Sequence, residues 1–530
     1  MVDFKRAYKH PREWSLYKDM TFTGWRVAIL ACLGAMVFGY DTAWWSGVLG
    51  MPAFTSRYGV YNPATKKYAI SPALTSSGSG IPTAGRIIGS IITPMIADRI
   101  GRRYTMLVMS IIFIVSIIVE VTAKSYWQIV IGRFVNYIPM GIAGALVPVY
   151  QAECAPASTR GALVTVFTWF VDFGALIASC IVYSTHKWTG EAAYKYVMGI
   201  QMIFPLLILA SLPFIPETPR YLCMKGKREE ALVVMKTLRK DDETAENEIA
   251  DIESSLERRV EKGTWLDLVR GSNLRRTIIS ITIPTIEAWQ GQSFMGNYLV
   301  VFLISLGAKN QYLLSTMLQM VLLLSVTFTF WMSDQIGRRP LLLFGSATMW
   351  ITFFITSAVS GHTTTYTSDG RKQVAVGMLF IWAIAYASTY QPVGYLAPAE
   401  MPTTRLRSKT SGVAYFLQQC GGLVVTFAAP YMQDAKYGNM GSYIGFFFGG
   451  ISFLGLVFVW FCFPEAKGLS VEELDVLFDK RTPTRQFSKV PRGVRVAEGY
   501  VIEGQTKEGS TSDDEEVQGR KAFGVTETSV

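Results

Sequence analysis

A chain of 530 residues that is half hydrophobic and only 17% charged is too apolar to fold as a water-soluble protein of this size. Its formal net charge of +10 would suit a nucleic-acid binder, but the basic residues gather beside apolar runs on alternate loops, the asymmetry that orients membrane spans; no nucleic acid is expected as a partner. The cysteines are scattered singly with no C-x-x-C pair and the histidines fall outside the apolar runs, which sets aside disulfide scaffolds, metal centres and histidine proton relays and calls for no cofactor.

In chain order, residues 1–26 read as a basic cytoplasmic tail without the short apolar core of a signal peptide. About twelve apolar runs long enough to cross a bilayer follow, beginning near Val27, Pro72, Thr105, Trp127, Ala162, Tyr194, Thr277, Leu313, Leu341, Ala375, Ser411 and Tyr443. They divide into an N-terminal half over 27–215 and a C-terminal half over 277–463, separated by a cytoplasmic linker at 216–276 and followed by a cytoplasmic end at 464–530. The fold class is therefore an all-α membrane protein, a twelve-helix bundle of two pseudo-symmetric six-helix halves.

The first run carries Asp41 well inside its length. An ionised Asp near the bilayer centre costs about 2.5–3.5 kcal/mol, so it must pair with a cation, take a proton or line water. Arg133, inside the run 127–150, is the first candidate cation, and a carboxylate and an arginine on different spans suggest a proton-coupled carrier. Trp44 and Trp45 suit a cap over an outer vestibule or interfacial anchors. Four more charges fall in the spans: Arg86 and Asp172, expected to form an ion pair that fixes helix packing; Glu120, near the end of the third; and Glu287, in the seventh.

The second half repeats the first. Asp98-Arg99-Ile100-Gly101-Arg102-Arg103 follows the second span and Asp334-Gln335-Ile336-Gly337-Arg338-Arg339 the eighth; Glu153 precedes Arg160 as Glu400 precedes Arg407; Pro216-Glu217 is matched by Pro464-Glu465. Orientation needs only Lys and Arg, so the repeated acids point to a cytoplasmic gate in which Asp98, Glu153, Glu217, Asp334, Glu400 and Glu465 bridge to Arg99, Arg102, Arg103, Arg160, Arg338, Arg339, Arg405 and Arg407. The linker holds two amphipathic stretches, 227–240 and 243–261, with Ile249, Ile252, Leu256 and Val260 on one side of the second. Ser470-x-x-Glu473 offers a capping box for a helix through Leu477 and Phe478, and the tail from Thr482 is expected to be disordered.

These residues resemble the sugar porters of the major facilitator superfamily over 38–478, through Gly39-Tyr40-Asp41, both Asp-x-x-Gly-Arg-Arg loops, Pro148-Val149-Tyr150-x-x-Glu153 with Arg160-Gly161, Pro216-Glu217-Thr218-Pro219-Arg220 and Pro464-Glu465-Ala466-Lys467-Gly468. Within that group the chain is similar to the fungal α-glucoside, maltose-type branch, through Thr404-Arg405-Leu406-Arg407, Pro430-Tyr431-Met432 and Glu473-Leu474-Asp475-x-Leu477-Phe478. The resemblance implies a plasma-membrane carrier of a hexose or α-glucoside with both termini cytoplasmic, Asp41 as proton acceptor and Arg133 as its partner. It also implies a sugar site at Phe38, Thr168, Glu287, Gln292, Ser293, Asn297, Tyr298, Tyr395 and Gln418, in which Glu287, Ser293 and Thr168 replace amides usual in the group. Those departures keep open a sugar sensor with a transporter fold. They also leave Glu287 as a ligand contact, a second protonation site or the partner of a cation. A membrane-anchored enzyme finds no nucleophile and base set, metal cluster or phosphate-binding glycine loop. Partners are thus a sugar, a proton and the lipid bilayer.

Overall fold

The computed structural model describes residues 21–62, 67–156, 160–257, 264–360, 369–403, 405–467 and 471–489; inside its helices the side chains of 160–165, 330–335 and 395 are among those left out of that description. The first span starts ahead of Val27, because the Thr21 hydroxyl accepts from the Gly24 N–H at 3.1 Å and caps α1 (Phe22–Ala31), which runs on past Cys32 into α2 (Leu33–Leu49). The loop beyond it holds α3 (Pro52–Tyr58) and a small antiparallel hairpin of β1 (Val60–Asn62) and β2 (Lys67–Ala69), with Tyr61 opposite Tyr68. The first half is completed by α4 (Pro72–Ile100), α5 (Arg102–Val121), α6 (Tyr126–Cys154), α7 (Arg160–Thr185), and α8 (Ala192–Ile200) with α9 (Ile203–Ser211).

The linker forms α10 (Pro219–Met224), α11 (Arg228–Leu238) and α12 (Asp242–Glu257). Its amphipathic faces close on one another: Ala231 and Met235 of α11 meet Ala245 and Ile249 of α12 over Leu222, while Val260 lies outside the described residues. Arg239 anchors this layer to the bundle, its guanidinium reaching Glu248 at 2.6 Å and the Cys154 carbonyl at the end of α6 at 2.9 Å.

The second half comprises α13 (Ser272–Glu287), α14 (Ser293–Ser305), α15 (Gln311–Ile336), α16 (Arg338–Ser360), α17 (Asp369–Ser388), α18 (Tyr390–Glu400), α19 (Arg407–Gln433) and α20 (Ile444–Cys462), with α21 (Val471–Asp479) after it. Between α13 and α14 the helix breaks at Gln290 and Gly291, where φ at Gly291 is 105°. Ten stretches of the described residues are long and apolar enough to cross a membrane. The two remaining long crossings, α4 and α13 with α14, are more polar: one carries Ser76, Ser79, Thr83 and Arg86, the other Glu287, Gln290, Gln292 and Ser293. Both of these polar crossings border the space between the halves, where α4 packs on α19 and α14 on α2, with α15 on α7 beside them. The outer faces carry exposed Ile111, Val115 and Ile118 on α5 and Leu454 and Phe461 on α20, apolar surface that suits lipid rather than water.

The tail corrects one expectation. Residues 484–489 form a short 3-10 turn in which Phe487 is buried against Phe478 of α21 at 5.2 Å between ring centroids, with the Arg275 guanidinium over both rings. Two aromatic rings beside a cation supply burial that the polar composition of the tail hides. Ser470 and everything from 490 onward, including the acidic run 513–516, lie outside the described residues.

Candidate functional site

Asp41 on α2 and Arg133 on α6 meet as an ion pair at 3.0 Å, each with no exposed side-chain surface. A pair this dry holds together only if the remaining polar atoms are satisfied. Asp41 Oδ1 accepts from Trp44 Nε1 at 2.8 Å, one helical turn on, and from Asn136 Nδ2 at 3.2 Å. Arg133 donates to the Tyr137 hydroxyl at 2.8 Å and to the Gly78 carbonyl, and its guanidinium lies 4.1 Å from the Trp45 ring centroid and 5.3 Å from that of Trp44. Trp44 and Trp45 are therefore walls of the ion pair, fully buried, and neither a vestibule cap nor an interfacial anchor; hydropathy alone does not distinguish the membrane interface from a cationic interior niche.

A cavity lies between the halves. Of the expected sugar-site residues, Phe38, Thr168, Glu287, Gln292, Ser293 and Gln418 line it. Asn297 and Tyr298 do not: Asn297 donates to the Ser293 carbonyl at 2.9 Å, and Tyr298 is buried with its hydroxyl on the Thr426 carbonyl at 2.7 Å. Both lie on α14, whose Ser293, Gly296 and Leu299 line the cavity, but at helical positions turned to its other face. The Tyr395 side chain is outside the described residues. Sequence reasoning missed the wall formed by α17, where Trp382 and Tyr386 stack at 5.4 Å with rings 4° apart; their i, i+4 spacing was the available signal.

Glu287 is buried and accepts from the Tyr386 hydroxyl at 2.9 Å and from Gln418 Nε2 at 3.1 Å. Its partners are neutral donors, so the cation partnership is not formed. The expected pair of Arg86 with Asp172 is absent as well: both Asp172 oxygens accept from Gln391 Nε2, at 3.2 and 3.1 Å, and the Arg86 guanidinium lies 5.3 Å from the Phe38 ring centroid. The Gln391 amide takes the carboxylate and an aromatic face takes the cation. Asp172 on α7 and Gln391 on α18 thereby link the two halves at the cavity wall.

The repeated motifs build the same joint twice. The N–H groups of Arg102 and Arg103, first in α5, donate to Glu217 at 2.9 and 3.1 Å; those of Arg338 and Arg339, first in α16, donate to Glu465 at 3.1 Å each. A carboxylate there satisfies orphan donors and meets the positive end of the helix dipole. The chain reaches this geometry through Gly101 at φ 91° and Gly337 at φ 101°, backbone that a side chain would strain, with the carboxylate against each glycine. Arg102 adds Glu153 at 3.0 Å and Asp98 at 3.3 Å, and Arg338 adds Glu400 at 3.1 Å. Each of these pairs stays within one half. Arg339 donates to the Trp460 carbonyl at 2.8 Å, Arg405 pairs with Asp267 of the linker at 3.2 Å, the Arg99 carbonyl accepts from Tyr221, and the buried Arg407 Nε has no partner among the described residues. The side chains of Arg160 and Asp334 are outside the description.

At the opposite end the halves are laced together: the Tyr312 hydroxyl donates to the Gly50 carbonyl at 2.7 Å, Ser76 to the Phe427 carbonyl at 2.9 Å and Thr316 to the Ser179 carbonyl at 3.2 Å.

The sequence over residues 27–478 matches the family described as sugar (and other) transporter. The chain belongs to that family. This transporter is similar to a high-affinity glucose transporter of Schizosaccharomyces pombe, 30% identical over 464 residues that cover 85% of this chain and 86% of the relative. It is also similar to a high glucose sensor of Saccharomyces cerevisiae, 28% identical, covering 88% of this chain and 62% of the sensor. Among solved structures it is similar to the major facilitator superfamily proton:xylose symporter XylE of E. coli, with a TM-score of 0.71 and 23% identity, covering 86% of this chain and 99% of that one. The transporter thus has the multi-pass helical fold of that superfamily, and the relatives named here are a transporter, a symporter and a sensor, not enzymes.

Proposed function

We propose that the transporter is a proton-coupled sugar carrier of the plasma membrane, both termini cytoplasmic, that moves a hexose or an α-glucoside inward by alternating access. The observation that carries this reading is the sealed ion pair of Asp41 and Arg133 one helical turn from Phe38, which lines the cavity: α2 is shared by the acid and the cavity wall. Hydroxyls and amides at Thr168, Gln292, Ser293 and Gln418 donate to and accept from sugar hydroxyls, while Phe38 and Trp382 pack C–H faces. A proton on Asp41 removes the anion from Arg133 and loosens α2 from α6. The motif joints hold the helix ends of each half rigid while the halves rock about the cavity, and the cytoplasmic gate closes when their charges are drawn together.

A proton entering down about 100 mV gains about 2.3 kcal/mol, enough for roughly 50-fold accumulation by a one-proton symporter. The test is uptake of a labelled panel of mono- and disaccharides in a strain lacking its own carriers, with and without a protonophore. Uphill, protonophore-sensitive uptake of a hexose or α-glucoside is the expected result. The resemblance to a glucose sensor supports the second reading, a receptor with the same fold, for which the panel would give no uptake. Arg86 at the cavity wall, with no carboxylate at ion-pair distance among the described residues, is the reason to include sugar acids in the panel.

A further inference from the structure

The acid that the coupling reading leaves unused is Glu120, on α5, fully buried in the core of the first half. It is seated deliberately: α6 passes so close that a Cβ at Gly132 would fall 2.7 Å from Glu120 Cγ. Glu120 Oε1 accepts from Asn136 Nδ2 at 3.2 Å and Oε2 accepts from Gln201 Nε2 at 2.8 Å. No cation stands within ion-pairing distance of it among the described residues. The same Asn136 Nδ2 reaches Asp41 Oδ1, also at 3.2 Å, so one amide bridges two carboxyls. The charged groups around Glu120 are Asp41 from α2 and Arg133 from α6; α8 and α9 contribute the neutral Gln201 at their junction.

Two counts then disagree with a fully ionised cluster. Two carboxylates face one guanidinium in a place with no exposed surface, leaving one negative charge unmatched. Donors are also short: the Asn136 Oδ1 and Gln201 Oε1 amide oxygens are buried and accept from no group among the described residues. A single proton on Glu120 cancels the surplus charge, and its O–H is one that the Gln201 oxygen accepts once that amide turns over, a turn that changes no shape.

We infer that Glu120 is a second proton-binding carboxyl of the coupling site, carrying a proton while Asp41 is ionised against Arg133. This rests on the reading of Asp41 as the coupling acid. The cluster is neutral with one proton and gains one positive charge with two, so the second proton is the one exchanged in a cycle and the first sets the acidity at which it binds.

The experiment is the pH profile of sugar uptake in proteoliposomes for wild type and Glu120→Gln, with infrared difference spectra of the same proteins at neutral pH. Glu120→Gln has the charge of Glu120 carrying its proton, so the profile should stay in place, whereas removing an anion from beside Asp41 would displace it by about one pH unit toward acid. Such a displacement overturns the inference. The infrared band of an un-ionised carboxyl should weaken in Glu120→Gln, and an unchanged band contradicts the assignment. If Glu120→Gln fails to fold, Asp41→Asn takes its place: with Asp41 neutral the guanidinium is matched by Glu120, which should give up its proton and weaken the same band, and an unchanged band there overturns the inference alone. Should Asp41→Asn keep uphill uptake, the coupling reading itself falls and this inference with it; loss of uphill uptake in Asp41→Asn beside an unchanged band in Glu120→Gln defeats this inference only.

Discussion

The two halves share their frame and their motif joints, yet they treat a buried acid in opposite ways. In the first half Asp41 is locked to Arg133 behind Trp44 and Trp45 and does not line the cavity. In the second half Glu287 has, among the described residues, only neutral donors, Tyr386 and Gln418, and stands at the cavity wall. A carboxylate matched to a guanidinium in a dry core holds or releases one charge and moves helices when it does. A carboxyl among neutral donors beside open space offers hydrogen bonds to whatever enters. The contrast supports the proposed reading of Asp41 as the coupling acid and of Glu287 as a ligand contact, and it can be broken experimentally.

The largest effect is expected at Arg133. Arg133→Leu strands the Asp41 carboxylate in the core and should destabilise the folded carrier by about 3–5 kcal/mol, read as a lowered midpoint in thermal unfolding of the detergent-solubilised protein. A midpoint equal to wild type would mean that the pair contributes nothing and the contrast is misdrawn. Glu287→Gln should fold with wild-type yield, since its partners Tyr386 and Gln418 are neutral and keep an acceptor, but shift the ratio of hexose to disaccharide uptake about tenfold. Lost yield with an unaltered ratio would make Glu287 structural. Removing one motif carboxylate is smaller again. Glu217→Ala or Glu465→Ala leaves two N–H groups at a helix start without their acceptor and should cost about 1–2 kcal/mol, equally in the two halves. Unequal costs would show that the repeated joints differ in role.

The smallest effect belongs to the linker contact of Asp267. Its carboxyl is held below the usual carboxylate range, first by the Thr264 backbone N–H and also by Arg405. Because the folded-state value is the lower one, the contribution is present at neutral pH and is lost only as pH falls below the ordinary value of about 3.9. Asp267→Asn should therefore leave uptake at neutral pH within about twofold of wild type, a surface pair being worth little. A large loss would place the linker in the gate.

Charge inside an apolar run is legible without coordinates, because the cost of burying it is set by the solvent and not by the fold; Asp41 and Arg133 were found that way, and the repeated Asp-x-x-Gly-Arg-Arg loops fixed the two-half plan. What a run of apolar residues does not encode is which face of a span meets which neighbour. Arg86 and Asp172 were paired by charge alone, whereas Phe38 and Gln391 lie where each would have to reach. Asn297 and Tyr298 come from the resemblance, which carries a residue type but not the face it takes; both fall on the side of α14 opposite Gly296 and Leu299, which line the cavity. Glu120 lay too near the end of its span to look buried; only the approach of α6 at Gly132 and the amide of Gln201, far away in sequence, make it part of the core. Phe487 is a single aromatic in a polar tail, and a contact with Phe478 leaves no periodic trace.

The central claim, that a proton on Asp41 drives sugar across, is tested most directly in proteoliposomes with an imposed pH gradient and labelled sugar at equal concentration on both sides. The wild-type carrier should accumulate sugar roughly 50-fold under a proton-motive force of about 100 mV. Asp41→Asn should exchange labelled for unlabelled sugar and accumulate none. Undiminished accumulation in that variant would contradict the account.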